Sequence, residues 1–178
     1  MIRIRAATVA DARGIAEVHV ASWRESYAGI VPDEYLAALA VEERERRWVS
    51  GLDDPDNPSF VYVAEDESRR IVGFASGGPR HDGDAVYAGE LYAIYLLRVW
   101  QGQGVGRRLV AAVARTLAER DMRSMLLWVF AENPARRFYE ALGGQYLAEQ
   151  QFELGGRMLT EVGYGWLNTS ALYDEGNR

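Results

Sequence analysis

Residues 95–108 read Tyr95-Leu96-Leu97-Arg98-Val99-Trp100-Gln101-Gly102-Gln103-Gly104-Val105-Gly106-Arg107-Arg108. The stretch Glu90–Leu97 is apolar after its first residue, which predicts a strand buried on both faces. Apolar residues recur at positions 105, 109, 113 and 117 and predict an amphipathic helix that begins near Gly104. Between the two, glycines let successive N–H groups point into one concavity. Because a helix N-terminus and two arginines follow, this segment predicts a site for a pyrophosphate group.

Other phosphate-binding loops fit this segment less well. A P-loop requires a lysine after its last glycine, and the sequence contains no lysine. A dinucleotide-binding loop requires a third glycine at position 107, where the chain has Arg107, and it usually follows the first strand. On these residues alone, the alternative is a glycine-rich loop with surface arginines and no ligand.

Length and composition restrict the class of protein. The chain of 178 residues suits one domain, predicted over residues 1–168 with a flexible C-terminal tail over 169–178. No apolar stretch approaches the ~18 residues of a membrane span, and residues 1–5 suggest a strand rather than a signal peptide, so a cytoplasmic protein without a membrane partner is expected. The absence of cysteine excludes thiolate chemistry, and two histidines disfavour a metal site. The net charge of −6 argues against a nucleic-acid partner and suits a cationic small molecule or basic peptide.

The pattern along the rest of the chain alternates strands and helices. Strands are predicted at residues 2–5, 59–64, 70–75, 90–97, 124–130, 145–153 and 157–166. Helices are predicted after Thr8, over about 33–49, from about 104, and over 134–142, where Gly143 ends the last one. The strand–helix–strand unit at residues 90–130 requires a parallel pair of strands in a mixed sheet, so the fold class is α/β.

A second motif follows the strand predicted at 124–130, and it reads Leu127-Trp128-Val129-Phe130-Ala131-Glu132-Asn133-Pro134-Ala135-Arg136-Arg137-Phe138-Tyr139-Glu140-Ala141-Leu142-Gly143. Together with Gln101-x-x-Gly104-x-Gly106 it resembles the two signatures of the GNAT superfamily of N-acetyltransferases. The N-terminal pattern Ile4-Arg5-x-Ala7-Thr8-x-x-Asp11 is similar to the opening strand and helix cap of that family. The resemblance covers residues 2–167. One departure is Arg98, where the family often has proline, and it changes only the local turn.

The resemblance implies a mixed, mostly antiparallel sheet with a central splayed pair of parallel strands, flanked by helices. In the family, the pantetheine arm of acetyl-CoA enters this gap like an additional strand. The backbone of Tyr95, Leu96 and Leu97 would bond the pantetheine amides, with the Leu96 N–H placed to stabilise an oxyanion on the thioester. The pyrophosphate would be held by the loop residues Gln101, Gly102, Gln103, Gly104, Val105, Gly106 and Arg107.

The same resemblance assigns roles in proton transfer. Tyr139 matches the family's general acid, which protonates the leaving thiolate, and a purely packing aromatic is the alternative. Asn133 would cap the helix after the second strand and touch the pantetheine arm, and a plain helix cap is the alternative. Glu90 is similar to the catalytic glutamate of the histone-acetylating branch and is the candidate base. The alternative for Glu90 is an ordinary solvated charge at a strand end.

The acceptor side is predicted from one helix face and one loop. His19, Trp23 and Tyr27 follow each other at spacings of four residues and share a face of the first helix. In the family this helix lines the acceptor pocket, so Trp23 and Tyr27 are candidates for substrate binding, with an aromatic core stripe as the alternative. His81 and Asp82 are weaker candidates for the base, and His81 is also assigned to the substrate side.

The implied activity is transfer of an acetyl group from acetyl-CoA to a primary amine of a small molecule or peptide. Direct attack in a ternary complex is expected, because the chain lacks the cysteine that most often forms an acyl-enzyme. No metal is expected, and a homodimer is allowed. A non-catalytic acyl-CoA sensor of the same fold and a nucleotide-binding regulator are the alternatives. The sequence names neither the acceptor nor the acyl-chain preference.

Overall fold

The computed structural model describes residues 1–80 and 86–173, and the strands in this part of the chain form one seven-stranded sheet. The strands are β1 (Arg3–Ala6), β2 (Phe60–Glu65), β3 (Ile71–Pro79), β4 (Gly89–Leu96), β5 (Met125–Phe130), β6 (Gln145–Leu154) and β7 (Arg157–Trp166). Their order across the sheet is β1-β2-β3-β4-β5-β7-β6. Neighbouring strands are antiparallel except β4 and β5, which are parallel. The predicted mixed, mostly antiparallel sheet is therefore confirmed.

Helices flank this sheet on both faces. They are α1 (Ala12–Ser26), α2 (Asp33–Ala38), α3 (Val41–Asp53), α4 (Val105–Glu119) and α5 (Arg136–Ala141), with short 3-10 turns at Val9–Asp11, Arg98–Trp100 and Ser170–Leu172. The first turn begins at the predicted cap, since the hydroxyl and the amide of Thr8 donate to Oδ2 of Asp11 at 3.0 and 2.8 Å. No helix in the described part of the chain is long and apolar enough to cross a membrane.

The single helix predicted over about residues 33–49 is wrong, because the chain is extended at Leu39 and Ala40, with ψ angles of 120° and 132°. The guanidinium of Arg24 on α1 donates to the carbonyl oxygens of Leu36 at 3.2 Å and Leu39 at 2.8 Å. The Leu39 side chain is buried in the core beneath α1. These tertiary contacts satisfy carbonyl groups at the end of α2, and residue periodicity does not reveal them.

Strands β4 and β5 are paired only where they begin, with Gly89 opposite Met125 and Glu90 opposite Leu126. The register between β3 and β4 shifts after Ser76, which makes a bulge in β4. A bulge bends its strand and increases its twist. Because β5 stays paired with β7 along its whole length, it does not follow that bend. The central parallel strands therefore diverge and leave a gap, as the family resemblance implies.

The two faces of the sheet carry separate hydrophobic cores. One face packs against α4 and α5, and its fully buried side chains include Leu109, Leu117 and Met125. The opposite face packs against α1, where Ile15 and Phe74 are fully buried. The gap between β4 and β5 lies between these two layers, so a ligand in the gap would be reached by side chains from both.

The residues after β7 pack against the domain as far as the structure describes them. Thr169 donates its amide N–H to the Arg123 carbonyl oxygen at 3.0 Å. Leu172 is buried in the core beneath α4. Residues 169–173 belong to the tail predicted from the sequence, and these contacts attach them to the core. The rest of that tail, residues 174–178, lies outside the described residues.

Candidate active site

A cleft of about 800 Å³ occupies the gap between β4 and β5. Its walls include Leu91–Leu96 of β4, Leu127–Val129 of β5 and the end of α1. Parts of two further segments complete the walls, namely residues 98–107 after β4 and residues 133–142 after β5. The loop and α5 belong to one face of the sheet, whereas α1 belongs to the other. The cleft is therefore bounded by groups from both layers, and it is large enough for an extended ligand arm.

The loop between β4 and α4 exposes a series of backbone amides. Gly102 and Gly104 have φ angles of 71° and 78°, a region that favours glycine. The first helical hydrogen bond of α4 runs from the Arg108 N–H to the Gly104 carbonyl at 3.2 Å. The five amides from Gly102 to Gly106 donate to no acceptor in the described part of the chain. Free amides at the positive end of a helix dipole can bind an anion.

The two glutamines of this loop act on the loop itself. Gln101 donates from Nε2 to the carbonyl oxygen of Leu96 at 3.0 Å, and Gln103 donates from Nε2 to that of Val99 at 2.8 Å. Gln101 also lines the cleft, as does Arg107. Gln103 is not among the lining residues, and the side chain of residue 105 is buried in the core. The coenzyme contacts predicted at these two positions stay predictions, and the backbone amides there, which donate to no acceptor in the described part of the chain, are available to make them.

The edge of β4 that faces the gap offers further backbone groups. The amide of Leu97 donates to the carbonyl oxygen of Val72 next to β3, at 2.9 Å. Because amides alternate between the two edges of a strand, the amide of Leu96 points to the opposite edge, toward the gap. Tyr95 and Leu96 line the cleft, and Leu97 lies just beyond it.

Tyr139 reaches the cleft from α5. Its side chain is almost fully buried, at 7% exposed, and it lines the cleft. Among residues 1–80 and 86–173, its hydroxyl has no hydrogen-bond partner, so it can donate to a ligand. Burial, and next the nearby Tyr95, raise the pKa of Tyr139 well above its usual range. The phenol therefore keeps its proton at neutral pH.

The position of α5 is fixed by β7 and by the turn before the helix. The Tyr164 hydroxyl donates to Oε1 of Glu140 at 2.6 Å, and Nε1 of Trp166 donates to the carbonyl oxygen of Leu142 at 2.9 Å. At the other end of α5, Oδ1 of the buried Asn133 accepts the amide N–H of residue 135 at 2.9 Å. This bond belongs to the turn before α5, whose N-cap is Ala135, so the helix cap predicted at Asn133 is wrong by two residues. Asn133 does line the cleft.

Helix α1 contributes a polar row and one phenol to the cleft. The lining residues are Ser22, Glu25, Ser26 and Tyr27. The Ser22 hydroxyl is buried and has no hydrogen-bond partner within the described residues. Trp23, which the sequence assigned to substrate binding, packs edge-on against the Tyr27 ring, with centroids 4.8 Å apart, and is not a lining residue.

A cluster of aromatic rings connects α1 to β4. The His19 ring stacks on the Tyr95 ring, with centroids 5.1 Å apart. Burial, and next the positive charges of Arg44 and Arg47, lower the pKa of His19 to about 3, so the imidazole is neutral. The hydroxyls of Tyr27 and Tyr95 lie 3.4 Å apart, and burial raises the pKa of both. These phenols are hydrogen-bond donors and acceptors at neutral pH, and neither is a phenolate.

Glu90 lies outside the cleft as the structure describes it. It is half-buried in β4, where that strand still pairs with β5, and it is not among the lining residues. Its charge contributes to the raised pKa of Tyr92, about 12, after the larger effect of burial. The role of Glu90 as the base therefore stays a prediction. The candidates His81 and Asp82 lie outside the described residues.

Three further aromatic residues line the cleft that the sequence did not single out: Tyr92, Trp128 and Phe138. Tyr92 is the extra residue of the β4 bulge. The local sequence contains no pattern that predicts this bulge. Phe138 directly precedes Tyr139 in the second motif, and this adjacency is the sequence feature that could have identified it as a cleft residue. Its ring fills the space next to Gly106, which has no side chain of its own.

Comparison with known proteins gives consistent results. The family model described as acetyltransferase (GNAT) family matches residues 17–144. The uncharacterized N-acetyltransferase YuaI of Bacillus subtilis is 44% identical, and the match covers 97% of this chain and 96% of that protein. The PaiA N-acetyltransferase of Thermoplasma acidophilum, solved in complex with coenzyme A, has a TM-score of 0.69 at 18% identity, covering 91% and 98% of the two chains. The ribosomal-protein-S5-alanine acetyltransferase of Vibrio fischeri has a TM-score of 0.73 at 19% identity, covering 99% and 96%.

Proposed function

Since this chain belongs to the acetyltransferase (GNAT) family, we propose that it transfers an acetyl group from acetyl-CoA to a primary amine of a small molecule or peptide. The amine attacks the thioester directly while both substrates are bound. The observation that carries this proposal is the cleft in the strand gap, which leads from the unbonded loop amides to the hydroxyl of Tyr139.

The coenzyme end of the cleft is formed by α4 and by the edge of β4. The amides from Gly102 to Gly106 and the charge of Arg107 hold the pyrophosphate. The pantetheine arm then lies along β4 and bonds to its open edge, as an added strand would. The Leu96 amide on this edge donates to the thioester carbonyl, where negative charge develops during attack.

The leaving group is assisted by Tyr139. Because the pKa of its buried phenol is raised, the hydroxyl stays protonated and donates a hydrogen bond to the sulfur as the carbon–sulfur bond breaks. The ties from β7 to α5 hold this helix in place, so little reorganisation is needed at the moment of reaction.

The acceptor approaches from the α1 layer, opposite the loop that holds the coenzyme. There the cleft presents the hydroxyls of Ser22, Ser26 and Tyr27 and the carboxylate of Glu25. Hydroxyl groups and one carboxylate suit an amine that is cationic in solution, as does the net charge of −6 on the protein. The amine must lose a proton before it attacks, because an ammonium has no lone pair.

Calorimetry and product analysis test the function together. Acetyl-CoA should bind with one site per chain, while ATP and NAD should not bind, and mass spectrometry should detect an acetylated amine after incubation with a mixture of amines. Binding of acetyl-CoA without any transfer would favour the acyl-CoA sensor. Binding of ATP or NAD in preference to acetyl-CoA would favour the nucleotide-binding regulator.

A further inference from the structure

One buried hydroxyl of the cleft has no hydrogen-bond partner. Ser22 on α1 lines the cleft and is 2% exposed, and its Oγ bonds to no group in residues 1–80 and 86–173. A serine inside a helix ordinarily donates to the carbonyl oxygen four residues earlier, which here is that of Val18. Because a buried hydroxyl without a partner carries the full cost of its desolvation, the partner of Ser22 is to be sought in a ligand.

Comparison with the other unpaired polar atoms singles out this residue. Within the described ranges, four buried side-chain atoms lack a partner: His19 Nδ1, Ser22 Oγ, Trp23 Nε1 and Thr169 Oγ1. Of these four residues, Ser22 alone lines the cleft. Thr169 is also fully buried, but it follows β7, where its amide binds the carbonyl oxygen of Arg123. Thr169 therefore provides a reference for an unpaired hydroxyl that does not line the cleft.

Ser22 lies where α1 crosses β4. His19 precedes it by three residues, so the two side chains are neighbours on one face of the helix. This face is directed toward β4, because the His19 ring stacks on the Tyr95 ring with centroids 5.1 Å apart. Tyr95 precedes Leu96, whose amide is directed into the gap and is assigned to the thioester carbonyl. Ser22 is therefore on the α1 side of the cleft, near the part of β4 where the acetyl group would lie.

The same face of α1 leads outward to a carboxylate. Glu25 and Ser26 follow Ser22 by three and four residues, and both line the cleft. Glu25 is exposed, Ser26 is half-buried and Ser22 is buried, so the row runs from solvent into the protein. Within the described part of the chain, Glu25 is the one carboxylate among the lining residues. A negative charge at the mouth attracts an ammonium and repels the phosphates of the coenzyme, so this row suits the acceptor.

From these observations we infer that Ser22 binds the acceptor, and that its Oγ accepts a hydrogen bond from an N–H of the attacking amine. The inference rests on the proposed function and names the residue through which that site recognises its amine. A neutral primary amine has two N–H groups and one lone pair. When Ser22 holds one N–H, the lone pair remains free to meet the thioester carbon. The hydroxyl turns about a single bond between staggered positions, so it meets the amine without a change in the backbone.

The unmade hydrogen bond gives Ser22 opposite effects on stability and on activity. Ser22→Ala removes a buried, unpaired hydroxyl from the free protein, and alanine also favours a helix more than serine does. The free protein should therefore be at least as stable without this hydroxyl. In the complex, the same substitution leaves an N–H of the bound amine without its acceptor. A serine that only packs, or that is bonded within the protein, does not combine these two effects.

The test compares the wild type with Ser22→Ala and with the control Thr169→Val. Valine has nearly the shape of threonine, so the control also removes an unpaired buried hydroxyl, but away from the cleft. Thermal unfolding without ligands, the affinity for acetyl-CoA by calorimetry and kcat/KM for an amine are measured for each protein. The amine is the one with the highest wild-type kcat/KM among alkylamines, amino acids, aminoglycosides and peptides.

Ser22→Ala should lower kcat/KM for this amine by about 3- to 10-fold, the contribution of one hydrogen bond. Its affinity for acetyl-CoA should equal that of the wild type. Its Tm should stay the same or rise by up to about 4 °C, because an unpaired hydroxyl is lost. Thr169→Val should show the same change in Tm and a wild-type kcat/KM.

Four results would overturn the inference. They are an unchanged kcat/KM in Ser22→Ala, a lower Tm, which means that the hydroxyl is bonded in the free protein, a loss of acetyl-CoA affinity, which places Ser22 against the coenzyme, and an equal loss of kcat/KM in Thr169→Val. A wild type that acetylates no amine of the panel contradicts the proposed function itself, and that result is read before any variant is compared.

Discussion

The α-carbon of Gly106 faces the ring of Phe138, so that a Cβ atom at residue 106 would lie 3.3 Å from Cζ of that ring. This contact joins the first turn of α4 to α5 and therefore joins the two motifs that carry the family resemblance. Both residues also line the cleft. A side chain at residue 106 would consequently press on the ring and stand close to the loop amides.

Gly106→Asp should abolish measurable acetyl-CoA binding. The new carboxylate would add bulk against Phe138 and a negative charge beside amides that bind a negatively charged pyrophosphate. Calorimetry on folded protein is the measurement, and Gly106→Ala is the matched control, because its methyl group requires the ring to move by only a few tenths of an ångström. Unchanged affinity in Gly106→Asp would exclude this loop as the phosphate site.

Gly104→Ala should weaken acetyl-CoA binding by about tenfold or more, because strain of about 1–2 kcal/mol at a positive φ angle is relieved only by moving the loop. Gly29 is the matched control. Its φ angle of 81° is close to the 78° of Gly104, and at both positions a Cβ atom meets nothing within 4 Å. Gly29→Ala should therefore destabilise folding to a similar degree. If both variants bind acetyl-CoA equally well, the loop conformation is not what the coenzyme recognises.

Tyr139→Phe should lower kcat by about 10- to 1000-fold, the effect of losing a general acid, and should leave the affinity for acetyl-CoA nearly unchanged. The ring remains to fill its place in the core, so the loss reports the hydroxyl alone. Tyr146→Phe serves as the control, since Tyr146 is exposed on β6. Normal turnover at every pH from 6 to 9 would remove the acid role, whereas normal turnover with lost affinity would make Tyr139 a binding residue.

His19 should make the protein less stable as the pH falls below about 6.5. In the folded protein its pKa is lowered to about 3, so the unfolded chain binds one more proton between these values, and unfolding becomes easier as the pH decreases. Between pH 6.5 and pH 5 the expected loss is about 2 kcal/mol of unfolding free energy. The carboxyl of Asp11, whose pKa is lowered to about 2, adds to this loss of stability only at pH values below its ordinary pKa of 3.8.

Urea denaturation of the wild type and of His19→Phe at pH 7.5, 6.5 and 5 measures this effect. The difference in unfolding free energy between the two proteins should change by about 2 kcal/mol over the lower interval and by less than about 0.5 kcal/mol over the upper one. A constant difference at all three pH values would mean that His19 titrates normally in the folded state.

The sequence predicted the elements whose determinants are local. The strand β4, the loop and the helix α4 follow one another within a few turns, and their glycines and apolar spacing are visible in the chain itself. The same holds for the cap at Thr8, whose partner Asp11 is three residues away. The parallel pairing of β4 and β5 followed from the helix between them, because a crossover connection through a helix joins two strands that run in the same direction.

The remaining features depend on contacts between distant segments. The break between α2 and α3 is set by Arg24, which binds carbonyl groups 12 and 15 residues further along the chain. Glu90 was placed correctly in its strand, but the length over which β4 pairs with β5 decides whether it reaches the cleft, and this length is not encoded in periodicity.

The central claim is acetyl transfer to an amine, and one measurement addresses it directly. It is the release of CoA from acetyl-CoA across a panel of amines, amino acids, aminoglycosides, peptides and alcohols at pH 6–9, with mass spectrometry of the products. The account predicts N-acetylated products from at least one class of primary amine and a kcat/KM that rises with pH, because the free amine is the nucleophile. Acetylation confined to hydroxyl groups, or a kcat/KM that is constant over this range, would contradict it.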